Sequence, residues 1–397
     1  MDNNIFTKLF QSLWYRLHSR SFPQLRTYMS QGNNIATHIS AFSYGNAGDT
    51  LLPVVLRDLF NDSIGVKKWH GKNVHKIVSK TDVYRFNEDD FIIIGGGGLF
   101  LADTSPNEAS GWQWNCSIEM LNRINKPLIG FALGYNRFRG QEEFKPIFTE
   151  HLTQFVNRAI FIGIRNHGSI EALKQYLPTE ELRSKLSFQP CMTTLISKIY
   201  PNLRDFSIKE NFIAINCAFD RIQLRSLDDE YLFAIARVAK QLSTKTSIKY
   251  YSHMEHDKNA LRYFDEIGVP YELVELNNVR QIVECYSRPR LVIGMRGHAQ
   301  MIPFGCRTPI LSIISHDKMQ WFLDDIGHSD WGVDVLDTQF EHKLSVRANT
   351  IYDHYIHYMK EIEEAKEKLW DITQKNMKTI KTTIINYHKN EKSKNNC

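Results

Sequence analysis

Leu291-Val292-Ile293-Gly294-Met295-Arg296-Gly297-His298-Ala299-Gln300 is followed by Ile302-Pro303-Phe304-Gly305-Cys306-Arg307-Thr308-Pro309-Ile310-Leu311. An apolar run closed by a glycine reads as a buried strand. An Arg-x-His turn then opens a helical stretch, and a second apolar run begins at Pro309. Strand, helix and strand in so short a span predict parallel strands covered by a helix.

The alternation continues in both directions. Upstream, strands are predicted at 35–42, 91–94, 128–133 and 160–164, with helices at 49–60, 113–124, 145–157 and 168–176. Residues 177–209 contain Pro178, Pro190 and Pro201 and read as a connection. A second series follows, with strands at 212–217, 248–251, 271–274, 291–295 and 309–314. Its helices are predicted at 229–241, 257–267, 278–287, 296–303 and 317–326. Two such series predict an α/β protein with two Rossmann-like, doubly wound domains facing a cleft. The expected divisions are a basic amphipathic segment over 1–30, domains over 31–200 and 201–345, and a C-terminal helix with a Lys-rich tail over 346–397. Ile5, Phe6, Leu9, Phe10, Leu13, Trp14 and Leu17 share one face of the N-terminal helix.

The chain has 397 residues, 42% hydrophobic, 12% aromatic and 23% charged. That composition excludes wholesale disorder, collagen-like repeats and a disulfide framework. The net charge of +5 is unevenly placed: residues 372–397 carry +5, residues 1–30 carry +3, and residues 31–371 carry −3. The core is not a general polyanion binder, and no nucleic-acid partner is expected. Cys116, Cys191, Cys217, Cys285, Cys306 and Cys397 form no Cys-x-x-Cys pair, which predicts a reduced, cytoplasmic setting. No apolar run reaches the ~18 residues of a membrane span. Thr7, Lys8, Gln11 and Ser12 interrupt any secretory signal.

Four further motifs carry polar chemistry after predicted strands. Gly45-Asn46-Ala47-Gly48-Asp49-Thr50 is a glycine turn opening a helix, with backbone N–H groups for an anion and Asp49 as cap or base. Gly95-Gly96-Gly97-Gly98 lets a ligand come close, but lacks the dinucleotide spacing G-x-G-x-x-G. The loop after it ends in Trp112-Gln113-Trp114, whose indoles either stack on a sugar or lie buried. Arg165 ends a strand, with Ser169 in the next helix; its planar fork matches carboxylate or phosphate. In the opening motif, Arg296 and His298 stand at a helix start that favours anions and suits an acid–base histidine. His253, Glu255, His256 and Asp257 cluster without a metal-site spacing, so no metal is expected, though His253 and Asp257 are placed to face the cleft.

In this order the motifs resemble the polysaccharide pyruvyl transferase family, over roughly residues 35–330. Residues 45–49 are similar to its Gly-Asn-x-Gly-Asp loop, and 95–99 to its tetraglycine-leucine turn. Arg165 with Ser169 is similar to its Arg-x-x-x-Ser segment. Arg296 with His298, followed by Gly305, Pro309 and Lys318, is similar to its Arg-x-His signature. The chain departs from the pattern at Gln189, where many members are acidic, and at Gly297, where a larger apolar residue is usual.

The resemblance implies a GT-B-like pair of domains with terminal helices. It implies transfer of a pyruvyl group from phosphoenolpyruvate to two hydroxyls of one sugar, in a polysaccharide or its lipid-linked precursor. The products are a cyclic ketal and phosphate, and no nicotinamide, flavin or metal cofactor takes part. On that expectation Arg165 and Arg296 bind the donor, with Ser169, Gly45, Gly48, Gly96, Gly97 and Gly98. His298 is the acid–base group and Asp49 activates a hydroxyl. Trp112, Trp114 and His253 bind the acceptor. A sugar-nucleotide-dependent glycosyltransferase or epimerase of GT-B type stays open on the same residues, as does a non-catalytic glycan-binding component. The basic ends are expected either to rest on the inner face of a membrane or simply to be packed and solvated.

Overall fold

The computed structural model describes Leu25 and residues 32–42, 46–103, 107–218 and 229–395. The expected N-terminal amphipathic segment and Gly45 lie outside the described residues. The strands are β1 Asn34–Ser40, β2 Val66–Asn73, β3 Phe91–Leu101, β4 Leu128–Asn136, β5 Phe161–Ile164 and β6 Leu186–Phe188, then β7 Glu210–Asn216, β8 Ser247–Ser252, β9 Tyr271–Glu275, β10 Pro289–Gly294, β11 Ile310–Ile314 and β12 Gly332–Asp334. They form two parallel sheets, ordered β2-β1-β3-β4-β5-β6 and β12-β11-β10-β7-β8-β9. The second has the dinucleotide-fold order, and the first is flavodoxin-like with one strand added. The direction of winding reverses between β1 and β3 in one sheet and between β7 and β10 in the other.

The continuous apolar runs exist because both faces of each strand are covered. Phe91 and Ile93 of β3 point into one core, and Ile92 and Ile94 into another. Val292 of β10 joins the first of these, while Leu291 and Ile293 face a third. The first core is shared. It takes side chains from the helix Ala47–Ser63, from the second domain's helix Val279–Ser287, and from the long helix Tyr355–Asn395.

Three strands escaped the sequence pattern, β2, β6 and β12. β2 reads Val-Lys-Lys-Trp-His-Gly-Lys-Asn and is an edge strand, where lysines deter further pairing. β6 and β12 are three-residue edges. The tetraglycine was expected to be a turn, but β3 continues through it, pairing Gly95 with Phe131 and Gly97 with Leu133, with an irregularity between Gly97 and Phe100. Gly96 has φ +79, and a Cβ there would meet Leu52 Cδ2 at 1.8 Å. The helix expected from 113 begins only at Ile118, where Ser117 caps it.

The expected Lys-rich tail is helical: Tyr355–Asn395 is one helix of 41 residues. Met377, Ile380 and Ile384 bury one face of it against the first domain. Gln189, one of the departures from the family pattern, is fully buried beside it. Its amide donates to Thr373 Oγ1 at 3.1 Å and accepts from Asn376 Nδ2 at 3.0 Å. A neutral amide can bridge these partners without burying a charge.

Candidate active site

The two switch points open onto one cavity, as parallel sheets of this kind dictate. It encloses about 210 Å³. Asp49, Gly98 and Arg165 enter from the first domain, and Arg296, His298 and Lys318 from the second.

Asn46, not Asp49, caps the helix Ala47–Ser63, its side chain accepting from Gly48 N at 3.0 Å. The adjacent Ala47 N donates to the carbonyl of His253 across the domain boundary at 3.1 Å. Asp49 is thereby left to line the cavity. Burial pushes its carboxyl up to about 6, against the pull of Arg296, Lys318 and Arg165. Gly97 lies beside it: a Cβ there would be 4.0 Å from Asp49 Oδ1.

Arg165 follows β5 and is buried, with Gly134 of β4 making room for its guanidinium. Its Nε has no hydrogen-bond partner among the described residues. Burial lowers its pKa, while Cys191 and Asp49 hold it up. A buried guanidinium without a bonded partner is a prepared anion contact.

Arg296 is held differently. Its Nε donates to both oxygens of the fully buried Asp257, at 3.0 and 2.9 Å. Asp257 also accepts from His253 N at 3.0 Å and Asn216 Nδ2 at 3.2 Å. Lys318 donates to Asn136 Oδ1 of the first domain at 2.7 Å. His298 lies in the first turn of the helix Gly297–Gly305, with Nε2 3.9 Å from Cys191 Sγ. Burial drives its pKa down to about 3, and Arg165, Lys318 and Arg296 add to the effect. The ring is therefore neutral at neutral pH.

Several expected site residues stand elsewhere. Trp112 and Trp114 are fully buried in the core of the first domain, so neither can stack on an acceptor. Trp112 donates to His151 Nδ1 at 2.9 Å, and the two indoles pack edge to face. Ser169 is also buried; its hydroxyl accepts from Tyr135 N at 3.1 Å, a structural role. Gly96 packs against Leu52 and does not line the cavity. His253 borders the cavity, but its ring is hydrogen-bonded to the Tyr286 hydroxyl and burial keeps it neutral. Sequence reasoning gave no role to Lys318 or Asn136, although Lys318 stands within the Arg-x-His segment.

Solved structures with this architecture include HepE from Anabaena in complex with UDP and glucose. It has 12% identity and a TM-score of 0.53, with 88% of this chain and 100% of that chain covered. The UDP-GlcNAc 2-epimerase of Methanocaldococcus jannaschii gives 9%, 0.50, 80% and 92%, and S. aureus MnaA with UDP gives 10%, 0.50, 83% and 91%. At such identities the likeness shows the fold: two Rossmann-like domains arranged as in GT-B glycosyltransferases and epimerases. No curated protein matches the chain. The family profile described as polysaccharide pyruvyl transferase matches residues 12–317, and the chain belongs to that family. Membership supports a transferase that modifies polysaccharide.

Proposed function

We propose that the protein transfers the pyruvyl group of phosphoenolpyruvate to two hydroxyls of one sugar, forming a cyclic ketal and releasing phosphate. The observation that carries this reading is the grouping of Arg165, Arg296 and Lys318, from both domains, around one carboxylate and one neutral imidazole. A donor bearing a carboxylate and a phosphate needs several cationic contacts and a proton source.

The electrostatics exchange the roles expected of His298 and Asp49. A trianionic donor offsets the cations that hold Asp49 down, so its carboxyl is pushed further up from about 6, toward the protonated form. Asp49 then protonates the methylene carbon. The first sugar hydroxyl attacks the neighbouring carbon and gives its proton to neutral His298. The carbon–oxygen bond to phosphate breaks, and His298 returns that proton to the departing phosphate. The second hydroxyl closes the ketal, its proton restoring Asp49. Protons balance without a cofactor.

A sugar-nucleotide transferase draws support only from the shared fold, and a non-catalytic component from none of the groups in the cavity. Incubation with phosphoenolpyruvate and candidate glycans is expected to release phosphate and to add the mass of pyruvate less water. Turnover of a nucleotide sugar with neither change would overturn the reading.

Contact with an anionic membrane surface belongs to the same proposal. From 372 to 390 the C-terminal helix has no acidic residue, and Lys375, Lys378, Lys381 and Lys389 are exposed. Their spacing places them on one face, around Ile385, which is 45% exposed. Among the described residues, no helix is long and apolar enough to cross a membrane.

A further inference from the structure

We propose that Gln113 and His75 form the acceptor subsite, a neutral hydrogen-bonding wall that receives the hydroxyls of an uncharged sugar ring. This rests on the reading above, and it supplies the acceptor contacts that Trp112 and Trp114 do not make.

The local cause is the path of the backbone after β3. After β3 the segment 112–115 pairs with neighbouring backbone, Gln113 N donating to Leu99 O at 3.2 Å and Asn115 N to Val74 O at 3.2 Å. The backbone bends through 111–114, and Cys116 N donates back to Trp114 O at 2.7 Å. Trp112 and Trp114 enter the core, and half-buried Gln113 between them lines the cavity. The same backbone ladder ties this segment to the loop after β2, which carries His75 into the cavity.

Sheet order then separates the cavity chemically. Gln113 and His75 border it from the β2 and β3 side, with Ala41. Arg165 and the Lys318–Asn136 pair border it from the β4 and β5 side. The cationic contacts are thereby grouped toward β4 and β5, while His75, after β2, and Gln113, bonded to β3, flank Asp49, which follows β1. The side chains of Gln113 and His75 have no hydrogen-bond partner among the described residues. Burial lowers the His75 pKa, so its ring meets a ligand as one donor and one acceptor. Gln113 adds two donors and an acceptor. Such groups discriminate hydroxyl patterns without attracting charge, because an unpaired partner in a buried site is costly.

The test separates acceptor recognition from donor chemistry. Binding of neutral glycans is measured by saturation-transfer NMR without donor, and phosphoenolpyruvate binding by calorimetry, on wild type, Gln113→Ala, His75→Ala and the double variant. Each single variant is expected to weaken glycan binding at least fivefold, with donor affinity unchanged and melting temperature within two degrees. Gln113→Asn is expected to recover part of the loss. Unchanged glycan binding in the folded double variant overturns the subsite. If the wild type binds no phosphoenolpyruvate, yet the variants still lose glycan, the donor reading fails and the subsite stands.

Discussion

A methyl group on Gly48 of the first domain would lie 2.0 Å from Nδ1 of His298 in the second. The absence of a side chain at Gly48 thus lets the imidazole reach the cavity. Gly48→Ala is expected to leave the fold intact while moving the ring by about 1 Å, a displacement that lowers kcat on the order of 100-fold. Gly297→Ala is the control, since its Cβ would meet nothing nearer than Lys318 Cε at 4.0 Å. It should stay within a few-fold of wild type. Equal losses in both, by steady-state kinetics, would remove the steric argument.

Asp257 is a positioning residue. It touches no expected substrate atom and fixes Arg296 from behind. Asp257→Asn keeps the shape and removes the charge, so donor KM should rise tenfold or more with a smaller fall in kcat. Asp257→Ala leaves a mostly buried guanidinium without its carboxylate, which costs up to about 3–5 kcal/mol of stability. Thermal melts of the two variants should therefore differ clearly.

Asp49 makes the empty site costly to fold. Its pKa rises from 3.8 unfolded to about 6 folded, so the folded state binds the extra proton between those values. Stability is lost as pH climbs through that window, and the full cost, about 3 kcal/mol, is present above it. Asp49→Asn should melt higher than wild type at pH 7.5, with the gap closing toward pH 4, and should be inactive. A melting difference independent of pH would refute the assignment.

The lysine stripe predicts salt-sensitive binding to vesicles. Four lysines at roughly 1 kcal/mol each give weak, reversible association. Sedimentation with phosphatidylserine-containing vesicles should exceed that with neutral vesicles. It should fall severalfold when Lys375, Lys378, Lys381 and Lys389 are changed to Gln, and again at 0.5 M salt. Equal sedimentation of wild type and variant would discard the stripe.

Strand placement was legible because buried parallel strands are continuously apolar, and β2 was not because an edge strand can be polar. The motif residues Asp49, Arg165, Arg296 and His298 were legible because each follows a strand at its carboxyl end. Trp112 and Trp114 misled because residue type suggests stacking, while the path of the bent segment, held by Gln113 N on Leu99 O and Asn115 N on Val74 O, decides which side chain faces the cavity. Asp257 could be placed near the cleft, but its grip on Arg296 could not be seen. The Lys318–Asn136 pair crosses between domains, and no local pattern encodes such a contact.

The core common to both domains and the C-terminal helix constrains how the molecule moves. A hinge that swung the domains apart would expose that core to water. Sliding of packed helices over small distances, a shear motion, avoids this cost. Motion of that kind would let substrates enter while the chamber stays assembled.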